Sequence, residues 1–177
     1  MEAEAVAVDP RFSIALPPSR DNYVSETHSG LRRKAGILSP RCGMVSREQI
    51  EMFLDRLTGD VASYREVEEG LWVVKPGGEL DIDVVVNYSP PVVLLRVKVM
   101  DLPSDPSLCA PLYPRLLQLN ATDLVHGSYG ITEEAVILTE ALELSHLDYQ
   151  EFLAAYESMT LALASHLREF ATYREAR

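Results

Sequence analysis

The sequence has little of what metal sites, disulfide frameworks and membrane spans require. Its 177 residues contain two cysteines and four histidines, and none of these residues is spaced as a pair of metal ligands. Cys42 and Cys109 lie too far apart along the chain to indicate a disulfide framework, which favours a reducing compartment. No apolar run approaches the roughly 20 residues of a membrane-spanning helix. These absences predict a cytoplasmic protein that binds neither a metal ion nor a membrane.

Sequence signatures of catalysis are also missing. Gly77-Gly78 lacks the following Lys-Ser/Thr and helix of a phosphate-binding loop, and no G-x-S-x-G nucleophile turn occurs. The best remaining candidates are Asp81 and Asp83, which would project to the same face of a strand and could share a divalent cation. Alternatively, they are solvated acidic residues that discourage edge pairing. We predict no enzymatic activity, no catalytic residues and no cofactor.

Charge is distributed unevenly along the chain. Residues 1–44 carry six basic and five acidic side chains, whereas residues 45–177 carry ten basic and twenty-two acidic ones, a net charge of −12. Such an acidic domain repels phosphate backbones, which disfavours nucleic-acid binding through it. The charge could steer basic partners toward the domain or simply keep it soluble.

The N-terminal part of the sequence has no periodic apolar pattern. Residues 1–44 include four prolines and cannot bury enough apolar surface to offset the entropy of ordering. We therefore predict a disordered or extended tail over 1–44 and a single domain over 45–177. The run Phe12–Leu16 alternates and could instead add as a strand to an exposed sheet edge.

Three helices are predicted in the domain. Ser46 and Gln49 form a capping box that opens a helix over about 46–58. Asp148 has the same role, with Glu151 three residues on, for a final helix over about 148–172. Between them, leucines at helical spacing indicate a helix over about 111–121. Its start stays open, because the prolines near it are tolerated only in a first turn.

The remaining segments predict β-strands. The periodicity changes to two between Ser63 and Leu102, where Pro-Gly-Gly and Ser-Pro-Pro turns separate three antiparallel strands. A short segment flanked by Gly127 and Gly130, and a strand from Ala135 to Leu144, follow the second helix. The predicted fold is α+β, an antiparallel sheet with helices in the order α–βββ–α–ββ–α.

Both faces of the predicted sheet carry apolar side chains. Val93 and Leu95 alternate with Leu94, so the two sets point to opposite faces, and a contiguous exposed apolar patch usually marks an interface. The predicted partner-binding or dimer surface consists of Trp72, Val85, Val92, Leu94 and Met100. Two alternatives remain open, namely that helices cover both faces and that Trp72 belongs to the core.

A local sequence pattern, together with the element order, resembles a known protein family. It consists of Leu116-Leu117-Gln118-Leu119-Asn120, the segment from His126 to Ile131, and Ala135 to Thr139. With the element order, it resembles the Tir-chaperone fold of type III secretion chaperones and the YbjN-like family, over about 46–172. The resemblance implies a small acidic bacterial protein that forms a homodimer and binds extended segments of partner proteins. Pro111 and Pro114 depart from the family pattern in a helix that often contributes to the dimer.

The predicted function is a non-catalytic chaperone- or adaptor-like module that holds a segment of another protein. One alternative is a regulatory or structural subunit. The other is a small-ligand or divalent-cation-binding protein that uses Asp81 and Asp83.

Overall fold

A computed structural model describes residues 43–58, 63–77 and 82–174, which belong to one compact unit spanning Cys42–Arg177. Residues 1–42 of the predicted tail, with the Phe12–Leu16 run, and Asp81 of the acidic pair lie outside the described residues. Met44, the last residue of the predicted tail, forms an isolated antiparallel bridge with Ser145. Within the described ranges, no helix is both long enough and apolar enough to cross a membrane.

The described part of the domain consists of three α-helices and one six-stranded antiparallel sheet. The elements are α1 (Arg47–Thr58), β1 (Ser63–Glu68), β2 (Leu71–Lys75), β3 (Val84–Ser89), β4 (Val92–Asp101), α2 (Pro106–Thr122), β5 (Ser128–Ile131), β6 (Ala135–Glu143) and α3 (Tyr149–Phe170). The six strands lie in the spatial order β1-β2-β3-β4-β6-β5, and every neighbouring pair is antiparallel. The predicted α+β fold is confirmed, and β1 is a further edge strand that its polar sequence did not distinguish.

The first and last helices begin where their capping residues predict. The Gln49 side chain accepts from the Ser46 backbone N–H at 2.9 Å, and the Gln49 N–H donates to the Ser46 hydroxyl at 3.4 Å. At α3, the Asp148 carboxylate accepts from the Glu151 N–H at 2.9 Å. These bonds satisfy N–H groups that have no partner within the helix.

Helix α2 starts earlier than the sequence pattern predicts. Asp105 caps it by accepting from the Ser107 N–H at 2.8 Å, and Pro106 occupies the first turn. Pro111 and Pro114 therefore lie inside the helix, where each removes one backbone hydrogen bond. Both are exposed, so water can reach the carbonyl groups that they leave without a helical donor. The predicted bounds of 111–121 were too short for this reason.

One side of the sheet, which we call the helix face, forms the core with all three helices. The cluster takes alternate residues of the central strands, such as Val84 and Val86 of β3 and Leu95 of β4, together with Leu54 of α1 and Phe152 of α3. Each of these five residues has at most 1% of its surface exposed. Burying a side chain of this size contributes roughly 1.5–3 kcal/mol, so this layer supplies most of the stability.

Candidate protein-binding surface

The opposite side of the sheet, the open face, carries a second apolar layer. Across the strands, Val73 pairs with Val85, Val85 with Arg96, and Arg96 with Thr139, so these four residues form one row. The neighbouring row holds Leu71, Asn87, Leu94 and Ala141. The buried side chains of α1, α2 and α3 lie in the core cluster of the other face. Within the described residues, the open face therefore has no helix packed on it.

Three residues of the predicted surface lie on this open face. Val85, Val92 and Leu94 are each partly exposed, while Val93 and Leu95, their neighbours in sequence, are fully buried on the helix face. The predicted assignment of alternate β4 residues to opposite faces is thus confirmed from Val92 to Leu95. Whether the three side chains bind a partner remains a prediction.

The other two residues of the predicted surface belong to the core. Trp72 has no exposed surface, and the Arg47 guanidinium lies 5.7 Å from the centre of its ring. Met100 is 5% exposed, because a β-bulge between Lys98 and Met100 shifts the alternation of β4 and pairs Met100 with Val136. A bulge adds one residue to one strand and so turns the side chains beyond it to the other face. The assignment of Trp72 and Met100 to an exposed surface was wrong.

The open face also carries positive charge, which the sequence reasoning missed. Lys98 lies 2.7 Å from Asp101, and Lys75 lies 3.8 Å from Asp83. Arg96 belongs to the same row as Val73 and Val85, next to the row that holds Leu94, and is partly buried. Because Arg96 is two residues after Leu94 on the same strand, the sequence could have shown that it belongs to the same face as the predicted apolar surface.

A second exposed apolar surface runs along the outside of α2. Tyr113 and Leu117 lie one helical turn apart, and 38% and 69% of their surfaces are exposed. Arg115 is the one charged residue of the helix. Single exposed apolar residues are ordinary, whereas two of them one turn apart on a nearly uncharged helix form a candidate contact surface.

Asn120, the last residue of the Leu-Leu-Gln-Leu-Asn pattern, covers one edge of the sheet. Its side chain donates to the Tyr129 carbonyl at 3.1 Å and accepts from the Tyr129 N–H at 2.7 Å. Tyr129 lies in β5, the strand at this edge. The amide thereby replaces a neighbouring strand and occupies groups that could otherwise pair with another chain.

Asn120→Ala is expected to lower the free energy of unfolding by about 1–3 kcal/mol, since two backbone groups of Tyr129 lose their partner. Denaturant unfolding would measure the loss. Gln118→Ala, at an exposed position of the same helix, is the matched control and should change stability by less than about 0.5 kcal/mol. Equal stability of the two variants would mean that Asn120 does not hold the edge.

Of the predicted acidic pair, the structure describes Asp83 and not Asp81. Asp83 faces Lys75. No group of three or more His, Cys, Asp or Glu side chains within the described ranges could hold a metal ion.

A polar cluster of two buried residues, Tyr129 and His166, and the exposed Asp123 joins β5, α3 and the end of α2. His166, 7% exposed, has its Nδ1 2.9 Å from the Tyr129 hydroxyl and its Nε2 3.4 Å from Asp123. Burial raises the pKa of Tyr129, so the phenol stays protonated at neutral pH. The Thr122 hydroxyl and then His166 lower the pKa of Asp123 by donating to its charged form. We interpret the cluster as structural, because its groups are bonded to one another.

Among solved structures, YbjN from E. coli, a proposed transcription regulator, is 14% identical with a TM-score of 0.53, over 72% of this chain and 96% of YbjN. The ExoU-SpcU heterodimer from the type III secretion system of Pseudomonas aeruginosa is 14% identical with a TM-score of 0.47, over 67% of this chain and 95% of the matched chain. At such identity the YbjN match shows the fold alone. Comparison with curated proteins gives no significant match.

A family match covers most of the domain and confirms the resemblance. Residues 44–176 match the CesT_Tir_1 family, which is the family of type III secretion chaperones. The matched range begins beside the capping box of α1 and continues past α3, so it includes all three helices and all six strands. The chain therefore belongs to the CesT_Tir_1 family of type III secretion chaperones.

Proposed function

We propose that the domain is a non-catalytic, cytoplasmic chaperone- or adaptor-like module that holds a segment of a partner protein on its open face. One observation carries this proposal. Val85, Val92 and Leu94 are partly exposed on one sheet face where no described helix packs, with Leu94 diagonal to Val85 and two residues from Val92. An apolar partner segment would remove this surface from water. Family membership supports protein binding as the activity.

The edges of the sheet favour docking on the face over addition of a strand. At β5, Asn120 already occupies the N–H and C=O groups of Tyr129. At β1, the register is interrupted between Glu66 and Glu68. Bulges and charged side chains both discourage strand pairing at an edge. The partner segment is thus held chiefly by side-chain contacts.

The proposal further includes a homodimer that forms through the outside of α2. Tyr113 and Leu117 supply its apolar contacts, and they lie on a different element from the open face. Two copies could therefore associate while each open face remains accessible to a partner.

Leu117→Glu is expected to convert the dimer to a monomer, because each copy would bring an unpaired charge into the apolar contact. Light scattering should give about twice 19.7 kDa for the wild type and about 19.7 kDa for the variant. Folding should be preserved, since 69% of Leu117 is exposed. Gln118→Glu adds the same charge to the neighbouring exposed position and should remain a dimer. A wild-type mass near 19.7 kDa at all concentrations would refute the homodimer.

Affinity capture with the full chain tests partner binding. Proteins bound by the wild type would be identified by mass spectrometry and compared with those bound by Leu94→Glu and by the control Gln118→Glu. We expect at least one protein to be retained by the control and lost with Leu94→Glu. Identical capture by all three would argue against the open face as the binding surface.

A further inference from the structure

Arg96, at the centre of the open face, has no carboxylate partner among the residues that the structure describes. It lies on β4 directly between Val85 of β3 and Thr139 of β6, with Leu94 two residues before it on the same face. Its Nε atom is buried and has no hydrogen-bond acceptor. Loss of hydration lowers its pKa, but a guanidinium remains charged at any physiological pH. The position thus carries a positive charge that has lost part of its hydration.

Lys98 provides an internal comparison on the same strand and face. Its ammonium group is 2.7 Å from Asp101, so its charge is already neutralised within the domain. Lys75, one strand beyond β3, likewise faces Asp83. Arg65, which pairs with Val73 from β1, is exposed at the edge of the sheet. Of the three cations on β2 and β4, Arg96 is the one left for a ligand among the described residues.

We propose that the partner segment held on the open face presents a carboxylate, from Asp or Glu between apolar residues, to Arg96. This inference rests on the proposed function and specifies the partner class of the same surface. A carboxylate can accept two parallel hydrogen bonds from a guanidinium, and such charge-assisted bonds are stronger than neutral ones. Val85 and Leu94 on either side would contact the flanking apolar side chains and exclude water from the pair.

A preference for an acidic partner segment is opposite to the preference that the net charge of the domain predicts. Residues 45–177 carry a net charge of −12, so long-range electrostatics alone would favour basic segments. A preference for an acidic segment could therefore arise only from a local contact such as that with Arg96. This opposition allows a direct test.

The test selects ligands from a library of random peptides of about twelve residues, long enough to cross several strands when extended. Peptides would be selected on the full wild-type chain after passage over Leu94→Glu, which removes those that bind elsewhere. The acidic residue of an enriched peptide would then be replaced by Gln and by Lys, and affinities measured by fluorescence anisotropy at physiological ionic strength.

Enriched peptides are expected to carry Asp or Glu between apolar residues. Replacing that residue by Gln should weaken binding to the wild type by about tenfold or more, the ratio typical of a lost charge-assisted hydrogen bond. The same replacement should have no effect on binding to Arg96→Met. With Lys98→Met, the control that removes a paired cation, the tenfold ratio should persist.

Several outcomes would overturn the inference. The carboxylate contact would be refuted if the peptides whose binding depends on Leu94 carried no acidic residue. It would also be refuted if replacing the acidic residue by Gln weakened binding to the wild type and to Arg96→Met equally. In either case the proposed function would stand. Absence of any Leu94-dependent peptide would refute the proposed function as well. Dissociation of a dimer by Leu94→Glu in light scattering would mean that a second copy of the chain covers the open face.

Discussion

Leu95→Glu is expected to unfold the domain, whereas Leu94→Glu should leave it folded. Leu95 has no exposed surface and lies in the core cluster of the helix face, so Glu would place an unpaired charge among apolar side chains. We expect a loss of more than about 4 kcal/mol, enough to unfold a domain of ordinary stability. Leu94 is partly exposed on the open face, where Glu can remain hydrated and the expected loss is about 1–2 kcal/mol. Circular dichroism with urea denaturation would measure both.

The two variants control for each other, because they add the same side chain at adjacent positions of β4 and differ only in the face that they occupy. Leu94→Glu should also lose partner capture while it remains folded. Equal unfolding of both variants would show that the open face is covered as tightly as the helix face, and the binding proposal would fail.

Gly127→Val is expected to cost about 3 kcal/mol or more, through backbone strain combined with steric overlap. Gly127 has a φ of +80°, in the left-handed region that β-branched residues rarely adopt. A Cβ atom there would lie 3.2 Å from the Thr139 carbonyl oxygen and 3.4 Å from Cδ1 of Leu138. The additional methyl groups of Val have no free space on that side. Thermal unfolding would show a lowered Tm.

Gly130→Val is the matched control three residues further on. Gly130 lies in β5, and the nearest atom to its added Cβ would be Cγ1 of Ile137 at 3.7 Å, an ordinary contact. Because Gly weakens a strand and Val favours one, this variant should be neutral or stabilised by up to about 1 kcal/mol. A comparable loss in both variants would mean that the segment tolerates no side chain for some reason other than the backbone of Gly127.

The sequence by itself determined those features that depend on neighbouring residues. The capping residues Ser46 and Asp148 place the starts of α1 and α3, because an N-cap bonds N–H groups two or three residues ahead. The alternation of Leu94 and Leu95 places them on opposite faces, because the side-chain period of a strand is two. The α+β fold and the family resemblance followed from such local signals in combination.

Features that depend on distant residues were decided only by the tertiary structure. The alternation rule misplaced Met100, because a bulge is defined by pairing with a strand some forty residues away and not by the sequence of β4. The role of Asn120 appeared only when α2 packed beside β5, which brings its amide to the backbone of Tyr129. The lack of a carboxylate partner for Arg96 among the described residues likewise depends on tertiary structure, because Asp83 and Asp101 lie next to Lys75 and Lys98. Within an uninterrupted strand, sequence spacing fixes which face a side chain occupies. Pairing and packing with separate elements decide where that spacing is interrupted and which partners the side chain meets.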